Sequence, residues 1–256
     1  MSSMVLEQFS LQGRVAIVTG CNTGLGQGMA RALAQAGADI VGVNQSQPQD
    51  TISQVQGLGR QFLDLRANLA DSGCIAALMR DAVHWRGRVD ILVNNAGIIR
   101  REDAIKFSEK DWDDVMNINL KSVFFFSQAV ARQYMAQKSG GKIINVASML
   151  SFQGGVRVPS YTASKSAVMG ITRSMANEWA GHRINVNAIA PGYMATNNTA
   201  ALRADETRNA SILERIPAGR WGVPDDLAGP VVFLASQASD YVNGYTVAVD
   251  GGWLAR

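Results

Sequence analysis

"RVAIVTGCNTGLGQGMARALAQAG", residues 14–37, changes its periodicity part-way along. Residues 14–19 form a short β-branched apolar run, the pattern of a buried strand. From Leu25 onward apolar residues recur four apart, at Leu25, Met29 and Leu33, and Gly37 supplies a helix stop. Between the two halves lie Gly20, Gly24 and Gly26, spaced GxxxGxG. A strand that passes through a tight glycine turn directly into a helix is the unit from which open α/β sheets are built.

The same alternation continues outward. Strand-like runs recur as "DIVGV" (39–43), "QFLDL" (61–65), "VDILVNNAG" (89–97), "GKIINVAS" (141–148), "RINVNAIA" (183–190) and "YTVAVD" (245–250). Helical patterns lie between them, from 71 to about 84 and over 109–137. In the second, Trp112, Val115, Met116, Leu120, Val123, Phe126 and Val130 mark the apolar face. Near-continuous Val/Ile strands followed by helices predict a parallel sheet covered on both faces. The expected architecture is α/β: a Rossmann-like, doubly wound, seven-stranded parallel sheet forming one domain over residues 1–256. The more polar stretch 191–224 is the expected substrate-covering segment.

Composition removes several function classes. The chain has 256 residues, and 47% hydrophobic against 18% charged content suits a packed globule rather than a disordered tail. The net charge of +3 comes from scattered Lys and Arg with no basic run, so no nucleic-acid partner is expected. Cys21 and Cys74 form no metal or disulfide spacing, and His84 and His182 are isolated, so no metal is expected either. No apolar run approaches the ~20 residues of a membrane span, and "MSSMVLEQFSLQGR" lacks a signal-peptide core. Cytoplasmic placement with no membrane partner is the expectation.

The glycine turn carries chemistry as well as geometry. Backbone that turns this tightly, opening a helix whose first N–H groups are unpaired, can cradle a pyrophosphate. Gly20, Asn22, Thr23, Gly24, Leu25 and Gly26 are therefore candidate dinucleotide contacts. At the end of the second strand an acid commonly grips a free 2′-hydroxyl and an arginine a 2′-phosphate. Here the chain reads "VGVNQSQ", with Asn44 and Gln45, and neither turn holds Lys or Arg. NAD is the expected cofactor in preference to NADP.

"SYTASK" (160–165) places Tyr161 four residues before Lys165, on one helix face. Ser148 stands at the end of the fifth strand, thirteen residues before Tyr161, where open sheets bind ligands. An unperturbed phenol near pH 10 is too weak an acid to serve as a base at neutral pH. A neighbouring ammonium favours the phenolate, so Lys165 would tune Tyr161 while Ser148 holds the reacting oxygen. Taken alone, a Tyr–Lys pair is usually a solvated helix face; downstream of the glycine turn and Ser148, a proton relay is the better reading.

On these motifs the chain resembles the short-chain dehydrogenase/reductase family along nearly its whole length. The resemblance also rests on "NNAG" (94–97), "NINLKS" (117–122) and "PGYMAT" (191–196). It implies cofactor contacts from Asn95, Ala96, Gly97, Pro191, Gly192, Met194 and Thr196, with Tyr161 and Lys165 also facing the cofactor. It implies that Asn119 kinks its helix and joins the catalytic set. Asn68, followed by Leu69, replaces the acid that often meets the adenine. Further stretches, "NNAGIIRREDA", "ASMLSFQGGVRVPSYTASK" and "APGYMATNNTAALRADE", resemble a bacterial group acting on keto-deoxy sugar acids of the 2-dehydro-3-deoxy-D-gluconate type, in breakdown of pectin-type uronates. That implies a carboxylate-bearing substrate, for which Arg157 is the first candidate ligand among Arg100, Arg101 and Arg157, with Gln153 and Met194 as lining. An ion pair with Glu102 or Asp103 is the competing role for these arginines. The competing functions are an NADP-dependent reductase of 3-oxoacyl thioesters and a non-catalytic dinucleotide-binding protein. Pairing through the helices near 109–137 and 160–180, as a homodimer or homotetramer, is implied by the resemblance alone.

Overall fold

The computed structural model describes residues 4–256; the first three residues of the expected 1–256 unit, and of its opening segment, lie outside the described residues. The chain alternates strand and helix from the glycine turn onward: β1 (Val15–Thr19), α1 (Gly24–Gln35), β2 (Asp39–Asn44), α2 (Gln49–Gly57), β3 (Phe62–Arg66), α3 (Ile75–Arg86) and β4 (Ile91–Asn94). It continues through α4 (Glu109–Met116), α5 (Ser122–Gln137), β5 (Gly141–Val146), α6 (Pro159–Trp179) and β6 (Ile184–Pro191). The last elements are α7 (Ala200–Ala204), α8 (Glu206–Arg215), α9 (Ala228–Ala235) and β7 (Thr246–Val249).

The strands form one seven-stranded sheet in the order β3-β2-β1-β4-β5-β6-β7, with every pairing parallel. Strand alternation divides the core in two. Ala16 and Val18 of β1 face α1 and α9, packing with Met29, Leu33, Val231 and Leu234. Val15 and Ile17 face the other way, onto a layer that includes Leu78 of α3, Phe126 and Val130 of α5, and Met175 and Trp179 of α6. The winding reverses between β1 and β4, and a ligand crevice is expected at the C-terminal ends of those strands.

Two features depart from the sequence reading. Helix α2 was not anticipated, because its "QDTISQVQG" buries only Thr51 and Val55 and carries almost no apolar periodicity. Helices α7, α8 and α9 were not anticipated either. The first two are largely polar, while "AGPVVFLA" of α9 is apolar all round. The helix expected over 109–137 does form, and the kink that the resemblance implies at Asn119 is a π-helical turn, Asn117–Lys121, between α4 and α5. No helix among the described residues is long and apolar enough to cross a membrane.

Candidate active site

The C-terminal ends of β1, β2, β4 and β5 open into a cleft of about 1100 Å³, lined from the glycine turn at one end to Trp253 at the other. Ligand pockets commonly run from about 300 to about 1,000 Å³, so this space is at the large end of what single ligands occupy.

The glycine turn forms the floor. Gly20 and Gly24 adopt φ of 64° and 59°, which strongly favours a residue without Cβ. A Cβ on Gly26 would collide with the Gly20 carbonyl and the Asn95 amide, so only hydrogen lets α1 start this close to the turn. Asn95 fastens the arrangement: its side-chain amide donates to the carbonyls of Thr19 and Gly20, each at 2.9 Å. Thr19 Oγ1 accepts from the backbone of Asn95 and Ala96, both at 3.0 Å. Asn94 ties β4 to α5 and β5 through Ser127 (3.0 Å) and Asn145 (2.9 Å). β4 therefore stops at Asn94, and the residues after it line the cleft.

At the end of β2, Asn44 is buried with its amide donating weakly to Cys21 Sγ at 3.6 Å, while its Oδ1 has no partner. A buried acceptor without a donor beside a glycine cradle fits a ribose hydroxyl, which can donate to it, better than a phosphate, which cannot. Register places Arg66 of β3 opposite Asn44, a neighbour the local sequence around β2 could not reveal. Its guanidinium is held by Asp64 at 2.8 Å and by the Gln45 carbonyl at 3.2 Å.

The other end of the cleft is built on β5 and α6. Ser148 lies two residues beyond β5 and caps a 3₁₀ turn, its Oγ accepting from Leu150 N–H at 3.1 Å. Ser151 accepts from the Ser148 N–H at 3.3 Å and donates to the Lys165 carbonyl at 2.6 Å, pinning the strand end to α6. Ser151 was not singled out in the sequence, although the Ser-x-x-Ser spacing of a capping box was readable. Tyr161 and Lys165 line the same cleft as Ser148. Lys165 Nζ donates to the Val146 carbonyl at 2.5 Å and stands 5.7 Å from the centre of the Tyr161 ring.

The electrostatics differ in origin from the sequence expectation. Burial raises the Tyr161 phenol above 10, and hydrogen bonding with Ser148 and the charge of Arg101 pull against it. Burial brings the Lys165 ammonium down to about 8. Ser148 and Arg101 are thus lowering influences on the phenol in this structure.

Asn119 is fully buried in the π-helical turn. Its Oδ1 accepts from Ile98 N–H at 2.8 Å, and its amide donates to the Ile98 carbonyl at 2.9 Å. The side chain therefore locks the loop after β4 onto the kinked helix, behind the cleft wall. Asn22, Thr23, Leu25, Leu69, Ala96, Gly97, Gly192 and Thr196 line the cleft, as does Gln153.

Other expected contacts stand elsewhere. Met194 is buried in the core beside Leu227 and Val231. Pro191 is the last residue of β6 and, like Asn68, lies off the lining. Asn68 Oδ1 is occupied by Gln45 at 2.7 Å and Ala70 N–H at 3.1 Å. Arg100 faces Asp111 (3.3 Å) and Asp114 (3.8 Å). Arg157 reaches the cleft rim, but it pairs with Asp103 at 3.0 Å and Glu102 at 3.5 Å. Its φ of 63° and a Glu102 N–H bond to its carbonyl at 3.1 Å make it a clasp between two rim loops.

Residues 20–254 match the family model described as enoyl-(acyl carrier protein) reductase. The chain is 73% identical over 253 residues to the 2-dehydro-3-deoxy-D-gluconate 5-dehydrogenase of Escherichia coli (strain K12), covering 99% of this chain and 100% of that one. The chain belongs to the short-chain dehydrogenase/reductase family. It is 72% identical over 253 residues to the enzyme of the same name from Dickeya dadantii (strain 3937), with 99% and 100% coverage. The crystal structure of a gluconate 5-dehydrogenase from Burkholderia cenocepacia J2315, in complex with NADP and tartrate, superposes with a TM-score of 0.93 at 38% identity, covering 99% of this chain and 100% of that one. This short-chain dehydrogenase/reductase is an oxidoreductase that uses a nicotinamide dinucleotide.

Proposed function

We propose that the protein is an NAD-preferring dehydrogenase of keto-deoxy sugar acids, interconverting the C5 hydroxyl of 2-dehydro-3-deoxy-D-gluconate and the corresponding ketone. The observation that carries the reading is full-length 73% identity to the E. coli enzyme of that name, in a chain whose Ser148, Tyr161 and Lys165 share one cleft. The bound dinucleotide supplies the hydride acceptor and, when oxidised, a positive ring that favours the phenolate of Tyr161.

Tyr161 Oη removes the substrate hydroxyl proton during oxidation and returns it during reduction. Ser148 Oγ accepts from Leu150 N–H, and its hydroxyl proton, directed at Tyr161 in this structure, turns to the reacting oxygen when substrate binds. Lys165 bonds the nicotinamide ribose and adds positive charge beside the phenol. Asn119 acts as a positioning residue, because its amide is spent on the Ile98 backbone and on Ser164 Oγ. The glycine turn holds the pyrophosphate, and Asn44 Oδ1 accepts from the adenosine ribose.

NAD is favoured because Asn44 offers an acceptor to a hydroxyl and the charge of Arg66 is neutralised by Asp64. The segment 191–224, with α7 and α8, covers the substrate. The protein works in the cytoplasm as a homo-oligomer. Half-exposed Trp112 on α4 and Phe125 on α5 are the apolar surface that supports pairing through those helices.

The test is a plate assay of purified protein with 2-dehydro-3-deoxy-D-gluconate, D-gluconate and a 3-oxoacyl thioester, each with both dinucleotides. Reduction of NAD by the keto-deoxy acid, faster than reduction of NADP, is expected. Turnover of the thioester with none of the sugar acids refutes the substrate reading, and faster turnover with NADP refutes the cofactor preference.

A further inference from the structure

Arginines around the cleft divide into two groups. Arg100 and Arg157 are paired with carboxylates, as is Arg220 with Asp226. Among the described residues, Arg101, Arg208 and Arg215 line the cleft with no carboxylate within ion-pair distance. Two of the three come from α8. Arg208, Ser211, Ile212 and Arg215 all border the cleft, and their i, i+3, i+4, i+7 spacing is one helical face. Asp205 caps the helix by accepting from Arg208 N–H at 3.0 Å, and buried Ile212 seats it against Met149 and Trp253. The polar composition that hid α8 in the sequence is the composition of a cleft-facing cationic surface.

We propose that Arg215 binds the carboxylate of the sugar acid, rather than Arg157 or Arg100; the assignment rests on the sugar-acid reading above. Three features single it out. Its guanidinium lies 4.0 Å from the centre of the Trp253 ring, which supports it without using its N–H donors. One terminal nitrogen contacts Gln153 Oε1 at 3.4 Å, on the loop that runs between Ser148 and Tyr161. The remaining donors are free, and a planar fork of this kind suits two parallel bonds to a carboxylate. Because stacking has already ordered the side chain, less rotamer freedom is lost on binding than from a free surface arginine. Arg157 offers the opposite situation, since binding a substrate there means giving up Asp103 and Glu102.

The test compares wild type, Arg215→Met, Arg215→Lys and Arg157→Met in steady-state turnover of 2-dehydro-3-deoxy-D-gluconate and of its neutral methyl ester. For Arg215→Met the KM for the acid rises roughly 10- to 100-fold, as expected for loss of a charge-assisted pair. Its kcat changes little, its KM for the ester is unmoved, and Arg215→Lys falls between it and wild type. An equal rise for acid and ester means that α8 has merely loosened, and overturns the assignment. So does an unchanged KM for the acid, or a larger rise in Arg157→Met. Wild type that turns over no sugar acid refutes the substrate reading instead. Arg215 is then decided by calorimetric titration of D-gluconate into NADH-loaded protein, where equal affinity in wild type and Arg215→Met, or no binding to either, overturns the proposal.

Discussion

Replacing Lys165 by Met should stabilise the protein while destroying its activity. Burial of the Lys165 ammonium brings its pKa from 10.5 down to about 8 in the folded chain. At 1.36 kcal/mol per pH unit, that gap is a penalty of roughly 3 kcal/mol for keeping the buried amine charged. The sign follows from proton binding. Below about 8 both states hold the proton and the folded state bears the full penalty. Between about 8 and 10.5 only the unfolded chain binds it, so wild-type stability climbs with pH; above 10.5 the penalty is gone. Met keeps most of the apolar stem but leaves the Val146 carbonyl without the bond from the charged Nζ, a loss of about 2 kcal/mol. The net gain at pH 7 is roughly 1 kcal/mol, or about 2–4 °C in Tm for a chain of this size. Differential scanning calorimetry of both proteins without cofactor, at pH 7 and at pH 9.5, measures it. A variant less stable than wild type at pH 7, or a gain undiminished at pH 9.5, refutes the reasoning.

Further expectations concern the phenol, the cradle and the cofactor. Ser148→Ala removes the hydrogen bond that lowers Tyr161, so the pH at which kcat/KM for oxidation rises should move upward; a profile that keeps its midpoint contradicts the electrostatic assignment. Gly26→Ala forces a Cβ against the Gly20 carbonyl and should cost about 1–3 kcal/mol of stability together with NADH affinity, read by melting and by fluorescence titration. Unchanged NADH affinity in that variant would remove the glycine turn from the cofactor site. Asp64→Asn releases Arg66 from its ion pair beside the β2 end and should improve kcat/KM for NADP relative to NAD. An unaltered ratio would mean that Arg66 does not reach the 2′-position.

The sheet was legible because each buried strand is a Val/Ile run and each transition is marked by a change of period, as at Thr19 and Leu25. Helices were legible where an apolar face recurs, and were lost where it does not. Helix α2 buries two side chains, and α8 buries only Ile212 because its remaining cleft-side residues serve a polar cavity. Ser148, Tyr161 and Lys165 could be singled out together because one strand end and one helix carry all three. Contacts between strands distant in sequence could not be seen in that way. Arg66 reaches the cofactor end through β2–β3 register, and Trp253 meets Arg215 through the chain's return after β7. For Arg157 the sequence offered both a carboxylate-binding role and an ion pair with Glu102 or Asp103, and the fold, which brings the two rim loops together, forms the ion pairs.

Proton transfer through Tyr161, coupled to the dinucleotide's redox change, underlies every functional assignment here. Its most direct test is single-turnover absorbance of Tyr161→Phe, saturated with NAD and 2-dehydro-3-deoxy-D-gluconate, beside an NADH binding titration of the same protein. Formation of NADH should slow by roughly 10²–10⁴-fold or more with NADH affinity largely intact. A variant that reduces NAD at the wild-type rate would contradict the account.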